Sequence, residues 1–377
     1  MLNSLLPLCV IRLTPPGRGA VATLRMEGPG ALEAVESHFR ARSGRSLAAY
    51  PIDQIVVGRF GDDFGEEVVA RRCGDAAVEL HCHGGRAAVA RIEESLVSAG
   101  CRRVAWQEWT RTRSDDPIAA AALVALAQAR TERTAAILLD QYHGALRRAM
   151  DEIRQDINRG DAPSARQRIE TLLARERLGL HLTRPWSVVL AGRPNVGKSS
   201  LMNALAGYGR AIVHPAPGTT RDAVAMTTAI DGWPVELCDT AGLRATGDAV
   251  ERAGIERARE RLAQADLVVL VADRSVPWSV EDQALADQWP AAVLVHNKCD
   301  LPVCSAKGDS PIFADTKIGT VPDRPTGLST SALRGEGIDV LLATIGRRLA
   351  PDPPSSGAPV PFSSEQVETL RQWLALV

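Results

Sequence analysis

The chain has 377 residues, 45% of them hydrophobic and 24% charged, and a formal net charge of −1 at pH 7. That is room for two or three domains of roughly 100–200 residues with buried cores, which excludes wholesale disorder and fibrous classes. The near-neutral charge offers no global field for a nucleic acid, and no apolar run approaches the roughly 18 residues of a membrane span.

Residues 1–109 read as an α+β domain. Its first residues lack the basic flank and long apolar stretch of a secretory signal. Strands are expected at 9–13 and 21–25, joined by a Gly/Pro turn over 14–19. A helix of about ten residues should follow Pro29 and Gly30. Further strands are expected at 55–60 and 77–81, and Gly84 with Gly85 opens a helix through Ser98. His81 and His83 flank Cys82, but two ligands do not make a metal site, and they read as a strand end.

Residues 110–184 form a helical region of two or three helices, broken near 160–163. Residues 185–350 alternate strands and helices: strands at 186–191, 234–239, 267–273 and 292–297, helices at 198–206 and 250–264. Such alternation predicts a parallel sheet with crossovers. Residues 303–324 lack periodicity and read as an inserted surface loop. A Pro-rich linker and a short helix fill 351–377, with Ser363 and Gln366 spaced as a capping box. The cysteines (Cys9, Cys73, Cys82, Cys101, Cys238, Cys299 and Cys304) are odd in number and scattered. They fit reduced thiols and a cytoplasmic location better than a disulfide framework.

Of 44 basic residues only Lys198, Lys298, Lys307 and Lys317 are lysines. A chain that uses arginine almost everywhere keeps lysine where a compact ammonium is required. Lys198 lies in Gly192-Arg193-Pro194-Asn195-Val196-Gly197-Lys198-Ser199, a match to G-x-x-x-x-G-K-[ST] between an apolar strand and a helix. Amides from Asn195 and Val196 through Gly197 to Ser200 can close around phosphate oxygens at the helix start. Lys198 should reach the β- and γ-phosphates and Ser199 should ligate Mg²⁺. Asp239-Thr240-Ala241-Gly242 ends a strand, where Asp239 can hold Mg²⁺ through water and Gly242 can offer its N–H to the γ-phosphate. Gly218-Thr219-Thr220 lies between these motifs, and Thr220 is the natural second hydroxyl ligand of the metal.

Lys298 lies in Asn297-Lys298-Cys299-Asp300. One carboxylate accepts both N1–H and N2–H₂ of guanine, so Asp300 selects guanine over adenine. Asn297 can tie the loops together, and a backbone N–H of Ser331, Ala332 or Leu333 can donate to guanine O6. The ordered motifs point to GTP and to a P-loop GTPase domain with a parallel-type sheet. Many GTPases orient water with a glutamine after the glycine of Gly242, where this chain has Leu243. A cation held by Asn195 could supply the missing positive charge. Glu251 could orient water, or it could be an ordinary solvated helix glutamate.

With these motifs the sequence resembles the tRNA-modification GTPases of the MnmE/TrmE type. Thr14-Pro15-Pro16-Gly17-Arg18-Gly19, Leu24-Arg25 and residues 78–85 resemble that family's folate-binding N-terminal domain. Residues 192–200, 217–222, 239–244 and 250–258 resemble its G domain. The resemblance implies a G domain inserted in a helical domain, GTP- and K⁺-dependent dimerisation, and a flavin-dependent partner of the MnmG/GidA type. The pair would install an aminomethyl-type group on a tRNA wobble uridine. It also implies that Asn195 contacts K⁺, Ser199 and Thr220 bind Mg²⁺, Glu251 assists hydrolysis, and Arg25 with Glu79 holds 5-formyl-tetrahydrofolate.

The sequence departs from the family at three places. The family's C-terminal helices carry Phe-Cys-Ile-Gly-Lys, whereas this sequence ends Trp373-Leu374-Ala375-Leu376-Val377. A folate-contacting lysine has no counterpart in Arg113-Ser114-Asp115-Asp116-Pro117, and the switch loop carries His214 for a threonine. Two functions stay open: a GTPase driving tRNA modification, or a divergent GTPase switch gating another RNA, ribosomal or protein partner.

Overall fold

Period-two alternation builds the first of two units, residues 1–120. The computed structural model describes residues 7–17, 19–61, 65–208, 225–239, 262–303 and 324–377. In β2 (Val21–Glu27) the side chains of Ala22, Leu24 and Met26 are buried while those between them take the other face. β6 (Ala77–His83) likewise buries Val78, Leu80 and Cys82. With β1 (Cys9–Arg12), β3 (Phe39–Ala41), β4 (Ile55–Phe60), β5 (Glu66–Gly74) and β7 (Arg102–Val104) they form one sheet in the order β3-β4-β5-β6-β2-β1-β7. Its pairs are antiparallel except β1 with β7. Helices α1 (Ala31–Glu36) and α2 (Arg86–Ser98) lay Ala31, Ala34, Val35, Val89, Ile92 and Leu96 on the apolar face. Each fully buried Leu or Ile contributes about 1.5–3 kcal/mol there. α3 (Trp106–Thr112) follows β7.

Two elements differ from expectation. The helix after Gly30 has six residues rather than about ten, because the core takes Phe39 and Ala41 as the buried positions of an edge strand. β5 is a strand that charge had hidden: only Val68 and Ala70 are buried, among Glu66, Glu67, Arg71 and Arg72.

The second unit, residues 121–377, begins with helices. α4 (Pro117–Leu126) crosses the division, and α5 (Glu132–Tyr142), α6 (Ala145–Arg159), α7 (Ala162–Leu173) and α8 (Glu176–Leu180) follow, more than the two or three expected. The extra breaks fall at short turns, where Thr131 caps α5 and Gly144 takes a left-handed conformation before α6. The break after residue 159 falls where expected, with Asp161 accepting from the Ser164 N–H at 3.2 Å.

The second sheet runs β13-β12-β11-β8-β10-β9, built from β8 (Trp186–Ala191), β9 (Ala225–Ile230), β10 (Trp233–Asp239), β11 (Leu267–Asp273), β12 (Val293–Asn297) and β13 (Leu328–Ser329). β8 is central, and all its residues but Ser187 are apolar and buried, as a strand covered on both faces requires. The strands are parallel except the edge strand β9, which meets β10 antiparallel through the two-residue turn Asp231-Gly232. α9 (Lys198–Tyr208) follows β8, α10 (Val280–Gln288) follows β11, and α11 (Ile338–Leu349) follows β13.

After α11 the Pro-rich stretch is tied down. Gln141 Nε2 donates to the Ala358 carbonyl at 3.1 Å, Gln141 Oε1 accepts from the Val360 N–H at 3.1 Å, and Arg175 donates to the Pro359 carbonyl at 2.9 Å. The last helix, α12 (Ser364–Leu376), starts with the expected capping box and packs against α7. In chain order the sheet elements are therefore enclosed between helices that pack together. Among the described residues no helix is long and apolar enough to cross a membrane.

Candidate functional site

The phosphate-loop motif lies between β8 and α9, at the carboxyl ends of parallel strands where open α/β sheets hold ligands. Gly192 has φ 144°, and a Cβ there would lie 2.2 Å from the Val271 carbonyl oxygen. Gly197 has φ 93°, and a Cβ would lie 2.4 Å from Asn297 Nδ2. Both positions admit only glycine. Asn195 is left-handed as well, at φ 63°, a conformation asparagine tolerates better than most residues. Asn195, Ser199 and Ser200 are exposed, whereas Val196 and Lys198 are buried. Lys198 Nζ donates to the carbonyls of Gly192 at 3.0 Å and Arg193 at 2.8 Å, so its ammonium sits inside the loop.

Ser199 Oγ donates to Asp239 Oδ2 at 2.5 Å, which joins the start of α9 to the end of β10. A hydroxyl and a carboxylate converging there are hard oxygen donors of the kind Mg²⁺ takes. Gly218, Thr219, Thr220, Thr240, Ala241, Gly242, Leu243, Glu251 and His214 lie outside the described residues.

The base-side motif closes on the same loop. Asn297 Nδ2 donates to the Val196 carbonyl at 3.0 Å, and its Oδ1 accepts from the Ala332 N–H at 3.2 Å and from Thr330 Oγ1 at 3.3 Å. Lys298 Nζ donates to the Asn195 carbonyl at 2.8 Å and to Asp273 Oδ2 at 2.6 Å. Burial alone would raise the Asp273 carboxyl, but hydrogen bonds from Lys298 and Ser275 outweigh it and hold it below the usual range. Ser331 Oγ donates to Asp300 Oδ1 at 2.6 Å, which lowers that carboxyl and keeps it ionised as an acceptor. Ser331 is fully buried with its hydroxyl turned toward Asp300, whereas Leu333 is 86% exposed.

Three partners were not foreseen: Asp273, Thr330, and Asp282, which accepts from Arg193 Nε at 2.8 Å. Asp273 ends β11 in register with Asn297 at the end of β12, a pairing that only the folded sheet supplies.

In the first unit Arg25 and Glu79 are cross-strand neighbours on the polar face of the sheet. Arg25 Nη1 donates to Glu79 Oε1 at 2.8 Å, Arg71 Nη2 donates to Glu79 Oε2 at 2.7 Å, and Arg25 Nε donates to Glu27 at 2.8 Å. Trp109 Nε1 and Arg113 also donate to Glu27, and the Arg113 guanidinium lies 5.3 Å from the Trp109 ring centre. The segment without the family's lysine thus still brings a cation to this face. His81 Nδ1 lies 3.0 Å from Thr23 Oγ1 and His83 contacts Glu66. Among the described residues no group of three metal-ligating side chains occurs.

Burial on its own would raise the Glu79 carboxyl, but its hydrogen bonds to Arg71 and Arg25 outweigh burial and hold it below its ordinary value. A depressed native pKa stabilises the fold above the unfolded value, near about 4.3, and that stabilisation is lost as pH falls through the native one. Glu79→Gln should therefore be about 1–3 kcal/mol less stable than the parent at neutral pH. The difference should close on acidification, as read from urea unfolding at a series of pH values. A difference that stays constant between neutral and strongly acidic pH would rule out the ion pair as its source.

Residues 187–298 match the family model described as 50S ribosome-binding GTPase, and residues 10–113 match that of the GTP-binding protein TrmE N-terminus. The chain is 36% identical over 376 residues to the tRNA modification GTPase MnmE of Symbiobacterium thermophilum, covering 89% of this chain and 80% of that protein. It is 34% identical to the MnmE of Synechococcus sp., covering 88% and 79%, and 34% identical to that of Geobacillus kaustophilus, covering 87% and 79%. A TrmE-type N-terminal sheet, a phosphate loop locked to its base-side motif, and this extent of identity make the chain a member of the MnmE family of tRNA modification GTPases.

Proposed function

We propose that this chain binds GTP with Mg²⁺, hydrolyses it, and uses the cycle in modifying the wobble uridine of tRNA. One observation carries the nucleotide part: Asn297 and Lys298 both donate into the phosphate-loop backbone, at Val196 and Asn195. One frame therefore positions the groups for the base and for the phosphates together. The tRNA part rests on the family.

In this proposal the loop amides and Lys198 bind and orient the triphosphate, and Asp300 accepts the two guanine donors. Ser199 and Thr220 would hold the metal, with Asp239 beside Ser199, and the metal would supply charge to neutralise the phosphate oxygens. Glu251 orients the attacking water. Asn195, exposed on the rim of the phosphate loop, would supply an oxygen to a K⁺ ion whose charge would serve in place of an arginine finger. On the first unit's polar face, Arg25 pairs with the glutamate tail and Glu79 with the pterin N–H groups of 5-formyl-tetrahydrofolate. Each would exchange part of its present ion pairing for the ligand. A homodimer, an MnmG/GidA-type flavin partner and a cytoplasmic location complete the proposal.

Asp300→Asn should weaken GTP binding at least tenfold and admit xanthosine triphosphate, since an amide prefers an oxo group where the carboxylate preferred a donor. Calorimetry with both nucleotides checks this, and unchanged base selectivity would remove Asp300 from its role. Hydrolysis should slow markedly when Na⁺ replaces K⁺, whereas equal rates in a phosphate-release assay would dismiss the cation at Asn195. Deleting the gene should abolish the wobble modification, as read by nucleoside mass spectrometry. Intact modification in the deletion strain would point instead to a switch acting on another partner.

A further inference from the structure

The end of β11 and the first turn of α10 carry two carboxylates that the functional proposal leaves without a role; Asp282 holds the phosphate loop through Arg193, and Asp273 reaches it through Lys298. Asp282 is 4% exposed and accepts from Arg193 Nε at 2.8 Å, while its other oxygen accepts from Ser279 at the start of α10. Asp273 has a side chain only 10% exposed. Its Oδ1 accepts from the Ser275 N–H at 2.9 Å and Oγ at 2.6 Å, which aims Oδ2 at Lys298 Nζ, 2.6 Å away. The same ammonium donates to the Asn195 carbonyl at 2.8 Å. Arg193 and Asn195 flank Pro194, so the two carboxylates hold the exposed bend of the loop from opposite ends.

We propose that Asp273 is a positioning residue for nucleotide binding, acting through Lys298 to hold the phosphate loop in its binding conformation; this rests on the nucleotide proposal above. Lysine side chains lose about 1.5–2 kcal/mol of rotamer freedom on being fixed. The hydrogen bond to Asp273 restrains the Lys298 side chain, which lessens what nucleotide binding has to order. Both Asn195 and Lys298 are non-glycine residues at φ 63°, a conformation that persists only where the surroundings hold it. The Asp273–Lys298–Asn195 chain is what holds both. Asp273 bonds to Ser275 and Lys298, so it sets how readily the nucleotide is held and leaves the chemical step to other groups.

The test uses the full-length protein. Asp273→Asn keeps an oxygen toward Ser275 and turns an amide N–H₂ toward the ammonium, where two donors repel. The dissociation constant for GDP should rise about tenfold, as expected for loss of one charge-assisted hydrogen bond. KM for GTP should rise in step, while kcat at saturating GTP stays within about twofold. Lys298→Met should weaken GDP binding on its own account, and the double variant should bind no more weakly than Lys298→Met, because the first residue acts through the second. Should Asp273→Asn fail to fold, Asp273→Ser, which removes the charge and shortens the side chain, is measured in the same cycle. Parent-like GDP affinity in the folded variant, a fall in kcat with unchanged KM, or additive losses in the double variant would each overturn the assignment. Parent protein that binds no GDP would remove the nucleotide proposal itself, a failure distinct from these.

Discussion

Two hydrogen bonds from the end of one strand organise the nucleotide half of this protein. Asn297 and Lys298 close β12 and reach sideways into the phosphate loop, one to the Val196 carbonyl and the other to that of Asn195. A loop that must present its N–H groups to a ligand turns its carbonyls the other way, and those need partners when they are withdrawn from water. The base-side motif supplies them. The base-side motif and the phosphate-loop backbone are consequently one structure. This explains the tight steric demand at Gly197, whose missing side chain leaves the space that the Asn297 amide occupies.

Two of the chain's four lysines serve this same frame. At residue 198 an ammonium fits among the carbonyls of Gly192 and Arg193, and at residue 298 it divides between a carboxylate and a carbonyl. A planar guanidinium is bulkier and presents its donors in a fixed fork. Arginine does the opposite work in the first unit, where Arg25 and Arg71 each give an N–H to a different oxygen of Glu79. That charge cluster lies on a sheet face whose reverse side is the apolar core, so the core and the candidate ligand face are separated by the thickness of one sheet.

The helical part of the second unit depends on residues far apart in the chain. Gln141 is fully buried and satisfies both an N–H and a carbonyl of the returning stretch, at Val360 and Ala358. A buried amide left unpaired would be destabilising, so these bonds fix where the chain must come back before α12 can pack on α7.

The order of the nucleotide motifs, the strands that carry them and the capping box at Ser363 were all legible in the linear sequence. Each depends on residue types at short spacing, where local geometry alone dictates what the backbone can do. The reversed edge strand β9, the shortened helix after Gly30 and the charge-rich strand β5 were not, because their places are set by which neighbour they pair with. The same division runs through the candidate site. Lys198, Ser199, Asn297 and Asp300 announce themselves by motif, whereas Asp273, Asp282 and Arg113 acquire meaning only when separate segments meet. Pairing between distant segments is decided by register and burial, which belong to the folded chain as a whole.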